Sequence, residues 1–489
     1  MKTTHLFFCF VLIFGCAQMS QGQFTQSAKI VGDRETRAEF GTSAGLNSQY
    51  AAVGASRESI AAGAVYVYGL NDEDQWEFSQ KIVADDAVEM AEFGGSISLE
   101  NNYLAIGSGR ADINGVQRAG AIYIYDLVGT NWVFVQKLIA SDFSDTGLLA
   151  VNPTSLDSEN MTIVAGAPGT SNWEGAVYIF DSDGSSWSES QIIHSPEVIP
   201  FSNFGIGVSI SGDFLIAGAS GENNGAGAAY IYEKNGNGIW EFVQRIEASD
   251  SQTNAYFGNA VSMEGNQLVV GAYAEGSVGG NIAAAYVFER NDAGEWTEIQ
   301  KIPSPVSGEN TYYGWMVQME GNQMVITAPH VFGLEVGQVF IYQKQENGQW
   351  QEIQNLMPED DILEDFYGWS IDLHEGNLIV GSTRDDFDEN GENELQDAGS
   401  AYIFNNPNLS IVETDNFSSV KIYPNPVGNI LNIQSYEKIN SIQIFSLTGQ
   451  LLLTTQKNSF DVSFLTGGIY VIKIQTGNGK VETKKLIKK

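Results

Sequence analysis

The stretch Tyr256-Phe257-Gly258-Asn259-Ala260-Val261-Ser262-Met263 decides the fold, together with its continuation Gln267-Leu268-Val269-Val270-Gly271-Ala272, Ala285-Tyr286-Val287-Phe288 and Trp296-Thr297-Glu298-Ile299-Gln300-Lys301-Ile302. Each piece is a short run of β-branched, aromatic and small apolar residues, and Gly, Asn and Asp turns separate each piece from the next. Four consecutive strands follow from that pattern. The unit recurs roughly every 54 residues, which marks a repeat architecture. Aromatic-Gly pairs open it at Phe40-Gly41, Phe93-Gly94, Phe204-Gly205, Phe257-Gly258, Tyr313-Gly314 and Tyr367-Gly368, and a degenerate third copy begins near Gly147. Third strands centre on Tyr66, Tyr123, Tyr178, Tyr230, Tyr286, Phe340 and Tyr402, so the count is seven.

Fourth strands carry Trp76, Trp132, Trp187, Trp240, Trp296 and Trp350, which is one too few. The missing copy lies at the other end of the chain, where Phe24-Thr25-Gln26-Ser27-Ala28-Lys29-Ile30 aligns with Trp76-Glu77-Phe78-Ser79-Gln80-Lys81-Ile82. The expected fold is therefore all-β: a seven-bladed β-propeller over residues 23–405, closed by the N-terminal strand. Closure spares the first and last blades an unpaired edge.

Outward from the repeat, the two ends differ from it. Residues 1–22 combine Lys2, the apolar run Leu6–Phe14 and small residues up to Gly22, the pattern of a secretory signal peptide. A rival reading makes Cys16 a lipidated first residue. Both cysteines, Cys9 and Cys16, fall inside this segment, so a chain starting near Gln23 forms no disulfide and depends on core burial and ring closure. No stretch is long and apolar enough for a transmembrane helix. Residues 406–419 are polar, include Pro407, and suit a linker. Residues 420–489 form a second set of short strands with Gly turns, a small β-sandwich.

The net charge of −36 is unevenly spread: the last 70 residues hold nine Lys against three acidic residues, leaving −42 for the rest. Nucleic acid and anionic membranes are disfavoured as partners.

The order Phe-Gly, then Gly-Ala-Pro (Gly166-Ala167-Pro168), then Gly175-Ala176-Val177-Tyr178 resembles the FG-GAP repeats of integrin α-subunit heads and their bacterial relatives. Integrin-type repeats often carry an Asp-rich calcium loop between first and second strands. Here that position is a tight turn such as Glu264-Gly265-Asn266, so those sites are not carried over. The tail, with Tyr423-Pro424-Asn425-Pro426, Leu447-Thr448-Gly449-Gln450 and a Lys-rich end, is similar to the C-terminal sorting domain of the Bacteroidetes type IX secretion system. That resemblance implies handling by the type IX machinery, removal of the domain, and a secreted or surface-attached product.

Strand parity puts the long connections on one face of the ring, and binding loops on a rigid scaffold belong there. Trp173, Tyr273, His330 and Arg384 lie in those loops and are the candidate ligand-binding residues. A separate loop has oxygen ligands at alternate positions with Gly391 sixth, so Asp386, Asp388, Asn390, Glu394 and Asp397 are candidate calcium ligands. Histidine is scarce and no nucleophile–base pair is evident, so no catalytic residue is assigned. The expectation is a non-catalytic binding or adhesion module for an extracellular glycan or protein. The alternative is a polysaccharide lyase, or another carbohydrate-active enzyme on a propeller, with Tyr312, Tyr313, His330 and Arg384 in the catalytic roles.

Overall fold

The computed structural model describes residues 23–33, 35–152, 154–274, 283–306, 311–329, 336–358, 365–388, 390, 392–406, 420–423, 427–435, 438–446, 451–466, 468–476 and 481–488. The expected signal peptide, His330 and most of the expected linker lie outside these. The chain divides into two units, Met1–Leu409 and Ser410–Lys489.

Among the described residues, the first unit holds seven four-stranded antiparallel sheets. The first strand of each sheet packs on the first strand of the next, and the seventh packs on the first in the same way. The pattern fits a β-propeller, with each sheet a blade. Second and third strands lie between neighbours and read as continuous apolar runs, such as Phe214–Ala219 and the first five residues of Ala228–Lys234. Outer strands bury only their ends: in Trp240–Ile246, Trp240 and Ile246 are buried while Glu241, Phe242 and Val243 face solvent. Strand crowding at the axis explains the second-strand glycines. A Cβ on Gly166 would sit 1.7 Å from the Gly205 carbonyl oxygen of the next blade.

Neighbouring blades are joined by repeated side-chain clips. The Gln80 side-chain amide donates to the Trp132 carbonyl and its oxygen accepts the Trp132 N–H, at 2.9 and 2.8 Å. The same two bonds join Gln136 to Trp187, Gln191 to Trp240, Gln244 to Trp296 and Gln300 to Trp350. Nearer the axis, Ser98, Ser155, Ser209 and Ser262 each accept a backbone N–H from the next first strand, a role taken by Gln318 and Asp372 further round.

The N-terminal strand takes the expected place. Thr25–Ile30 pairs antiparallel with Ser400–Asn405 as the outer strand of the seventh sheet. Phe24 occupies the Trp slot, with Gln354 clipping its N–H and carbonyl at 2.8 Å each. All seven outer strands carry a β-bulge at the same register, at Ser27, Ser79, Val135, Ser190, Val243, Ile299 and Ile353. The degenerate third copy enters at Leu149, two residues past Gly147: Gly120 bridges to Leu149 as Gly63 does to Phe93.

The second unit is a three-stranded and a four-stranded sheet around a core that includes Val427, Leu431, Ile442, Ile444, Val462, Ile472 and Ile474. No described helix is long and apolar enough to cross a membrane.

Candidate functional site

The first strands enclose an axial channel of about 570 Å³, to which every blade contributes. Its two ends differ. At one end the first and second strands join through tight turns such as Glu264–Gln267 and Glu320–Gln323. At the other, links from the preceding blade enter the first strands, and the loops between second and third strands gather beside them.

Each blade is entered through a residue held at positive φ: Glu39, Glu92, Leu148, Asn203, Tyr256, Tyr312 and Phe366, all between 51° and 59°. None is Gly. The cause is visible in the backbone, because the N–H of this residue donates to a loop carbonyl of the preceding blade. Glu92 reaches Ala61, Leu148 reaches Arg118, Asn203 reaches Trp173, Tyr256 reaches Gly225 and Glu39 reaches Asp397.

These residues divide the channel mouth into two chemical arcs. In blades one and two Glu39 pairs with Arg57 at 3.1 Å and Glu92 with Arg110 at 2.8 Å. Burial pushes the Glu39 carboxyl up, against the opposing pull of Arg57 and Arg384. In blades five to seven the mouth is aromatic. Tyr256 stacks on Tyr273 with centroids 5.0 Å apart, Tyr273 on Tyr312 at 5.3 Å, and Tyr312 meets Trp315 edge-on. Trp315 lies 4.8 Å from Trp369, which stacks on Phe366, and the Arg384 guanidinium sits 4.2 Å above the Phe366 ring. Trp315 and Trp369 also line the channel. The six aromatic residues thus form one row, in which Tyr312 and Phe366 are buried, at 8% and 5% exposure, and Tyr273, Trp315 and Trp369 are half-buried against them.

Of the candidate ligand-binding residues, the structure brings Tyr273 and Arg384 into this row. Trp173 stands apart in blade three, 39% exposed, ending a turn whose residues Ser171, Asn172 and Trp173 are all at positive φ. His330 is outside the described residues. For the lyase alternative, Tyr312 belongs to the row, whereas Tyr313 is fully buried with its hydroxyl 2.8 Å from that of Tyr342. Tyr256, Trp315, Phe366 and Trp369 were not singled out from the sequence. The paired aromatics Tyr256-Phe257, Tyr312-Tyr313 and Phe366-Tyr367 were the available signal.

In the candidate calcium loop, the Asp386 carboxylate accepts the Asp397 N–H at 2.6 Å. Asp388 accepts the N–H groups of Asn390 and Glu392 and the Asn393 side-chain amide. Among the described residues, no three His, Cys, Asp or Glu side chains stand together as metal ligands would.

The tight-turn end of the channel is acidic. Asp372, half-buried on the channel wall, accepts the Leu46 N–H and the Gln318 side-chain amide, each at 2.6 Å, and desolvation raises its carboxyl to about 7. Glu320 accepts the Glu375 N–H at 2.8 Å and is raised to about 7, again chiefly by burial. Burial lowers His374, which lies 3.9 Å from Glu320. A second hollow, of about 380 Å³, lies on the outer seam of blades one and two. Its lysines are already paired, Lys81 with Asp33 and Glu58, Lys137 with Asp86.

Comparison with known families matches the FG-GAP repeat to residues 76–125, 187–232, 240–288 and 350–404, and the secretion system C-terminal sorting domain to residues 421–489. Each FG-GAP match begins on the outer strand of one blade and ends on the third strand of the next, so the sequence repeat straddles the seams. No curated protein matches the chain. The sorting domain directs export by type IX secretion to the cell surface or the extracellular space. The chain thus carries four matched FG-GAP repeats on an all-β, propeller-like fold and, over residues 421–489, a type IX secretion C-terminal sorting domain.

Proposed function

We infer that the exported protein is a non-catalytic binding module that captures an extracellular ligand, a glycan or a protein, at the loop-rich mouth of the channel. The observation that carries this reading is the aromatic row whose half-buried members Trp315 and Trp369 line the channel wall. Concave sites that join apolar rings to a few polar groups are the usual form of a ligand pocket. The carboxyls displaced toward neutrality, Asp372 and Glu320, lie three and five residues further along than Trp369 and Trp315, toward the tight-turn end, and already have hydrogen-bond partners.

The test is a binding screen of the mature protein against polysaccharides and cell surfaces, with a Tyr273→Ala, Arg384→Ala double variant beside it. Binding should be lost in the variant while the melting temperature stays within a few degrees. Trp173→Ala, made separately, reports whether the ligand reaches round to blade three. Release of shortened or unsaturated products from any polysaccharide would replace this reading with an enzymatic one.

A further inference from the structure

We propose that the hollow on the outer seam of blades one and two is a docking pocket for a lysine side chain of a basic extracellular polypeptide, held by the Tyr125 hydroxyl and the Asp85 carboxylate. The pocket is separate from the channel mouth and does not depend on the reading given for it.

The hollow, of about 380 Å³, lies between Ile82 and Val83 at the end of the blade-one outer strand and Tyr125 and Phe134 of blade two. The position of Tyr125 recurs in every third strand, as Tyr68, Phe180, Tyr232, Phe288, Tyr342 and Phe404. Packing explains the ring there, since Phe180, Phe288 and Phe404 are buried in the same place without a hydroxyl. The hydroxyl is what packing leaves over. Tyr68 donates to the Val31 carbonyl at 2.6 Å, Tyr342 lies 2.8 Å from the Tyr313 hydroxyl, and the Tyr232 hydroxyl is sealed from solvent. Val83 is the counterpart of Val31 on the next seam, but Tyr125 does not bond to it. Among the described residues the Tyr125 hydroxyl has no hydrogen-bond partner, and it opens on the hollow although the residue is only 5% exposed. A phenol in that position is satisfied only by what enters.

The surrounding charges select a cation. Asp85 lines the hollow, is exposed, and has no hydrogen bond or ion pair among the described residues. Lys81 is paired with Asp33 and Glu58, and Lys137 with Asp86, so two lysines stand against four carboxylates once Asp85 is included. The wall already holds one ammonium, that of Lys137, 4.9 Å from the centroid of the Tyr123 ring. An entering ammonium donates to both the Tyr125 oxygen and the Asp85 carboxylate. Its alkyl stem lies on Val83 and Phe134, whose free faces are 52% and 46% exposed. Val133 and Val135, also exposed, carry the apolar surface beyond the hollow, where a polypeptide covers it and a small amine leaves it wet. The surplus of 42 negative charges outside the tail favours a basic partner.

The experiment uses the mature exported protein and ligand-observed NMR. The probes are an end-blocked tripeptide of lysine between two leucines, the same peptide with its lysine acetylated, and hexylamine. The lysine peptide should bind at least about tenfold more tightly than its acetylated form, and more weakly as salt is raised. Tyr125→Phe and Asp85→Asn should each weaken that binding about tenfold, at an unchanged or higher melting temperature, because neither group is bonded in the folded protein. Tyr68→Phe, which loses the bond to Val31, should lower the melting temperature and leave binding intact. Equal binding of the acetylated peptide, binding indifferent to Tyr125→Phe and Asp85→Asn, or no binding of the lysine peptide would overturn the proposal. Binding of hexylamine alone would overturn it too, by making the occupant a small amine. Loss of peptide binding in the Tyr273→Ala, Arg384→Ala variant would move the lysine to the channel mouth and remove the pocket, whereas intact binding there keeps the two sites distinct.

Discussion

Blade four and blade seven are made of the same elements and assembled differently. In blade four the outer strand Trp240–Ile246 follows its neighbour through the turn at Asn235–Ile239. In blade seven the outer strand, Thr25–Ile30, comes from the far end of the chain. Both use one brace between the third strand, the outer strand and a loop. The Tyr230 hydroxyl donates to Glu222, and Arg245 pairs with Glu222 at 2.9 Å. The Tyr402 hydroxyl donates to Asp385, and Lys29 pairs with Asp385 at 2.7 Å. The cation of the untethered strand is the deeper one: the Lys29 side chain is 8% exposed and that of Arg245 23%, each on a carboxylate at 0%. Where no peptide bond ties the strand to its blade, a shielded ion pair does. Removing one partner of such a pair strands the other as a buried charge.

The comparison can be broken most directly by deleting residues 23–32. Blade seven then loses its outer strand and Asp385 its cation, and the first unit should lose its cooperative melting transition. An unchanged transition would show that closure contributes nothing. Next in size, Lys29→Ala should destabilise by about 3–5 kcal/mol in urea denaturation. Arg245→Ala should cost clearly less, because the tether holds its strand in place and its charge is better solvated. Equal losses would mean that the tether is irrelevant.

The pH response sharpens the contrast nearer the axis. Where blade four has Ser209, blade seven has Asp372, raised to about 7 against an ordinary value near 4. A carboxyl raised by folding binds its proton more tightly in the folded state. Stability is therefore gained as pH falls through 7 and lost as pH rises through it. Lowering the pH from 8 to 5 should stabilise by roughly 3 kcal/mol through Asp372, with Glu320 adding in the same direction. Asp372→Ser should flatten the slope of melting temperature against pH, and a slope of opposite sign would refute the assignment.

The seam clips give a smaller and more local test. Gln354→Ala should cost about 1–2 kcal/mol, since two hydrogen bonds to Phe24 are lost. At the seam from blade seven to blade one, Ala28 stands where Gln80 and its equivalents form the clip on other outer strands. Ala28→Gln, facing Trp76, should add about 0.5–1 kcal/mol. The smallest expected effect concerns calcium at Asp386, Asp388, Asn390, Glu394 and Asp397. Metal there has to compete with N–H groups of the same loop, so millimolar calcium should raise the melting temperature by a degree or two and Asp388→Ala should abolish the rise. A flat titration removes the site.

The strands, their sevenfold recurrence and the displaced N-terminal strand were legible because each rests on a local pattern, as when Phe24–Ile30 repeats the spacing of Trp76–Ile82. The third entrance was blurred because Leu149-Ala150 has neither the aromatic nor the Gly. The braces were hidden for a different reason. Their acid comes from a loop in Glu58, Glu222 and Asp385 but from a link in Asp86, Asp142 and Asp250, so no fixed offset announces it. The ring at the mouth was invisible because φ there is imposed by a carbonyl roughly 30 residues back, across a seam, and Glu, Leu, Asn, Tyr and Phe share no side-chain property that would betray it. Tyr273 and Arg384 were found on loop position alone, and the same rule also selected Trp173, which the fold carries to a separate arc of the mouth.

The bulge repeated on all seven outer strands has a consequence for how molecules behave together. A flat outer strand would offer its free edge to the same strand of another copy, and a wheel with seven such edges could polymerise in many directions. A bulge at Ser27, Ser79, Val135, Ser190, Val243, Ile299 and Ile353 breaks the regular spacing of backbone donors and acceptors that such pairing needs. The Gln clips occupy further edge groups at the neighbouring Trp. Copies crowded together outside the cell can therefore touch rim to rim without knitting into a fibre.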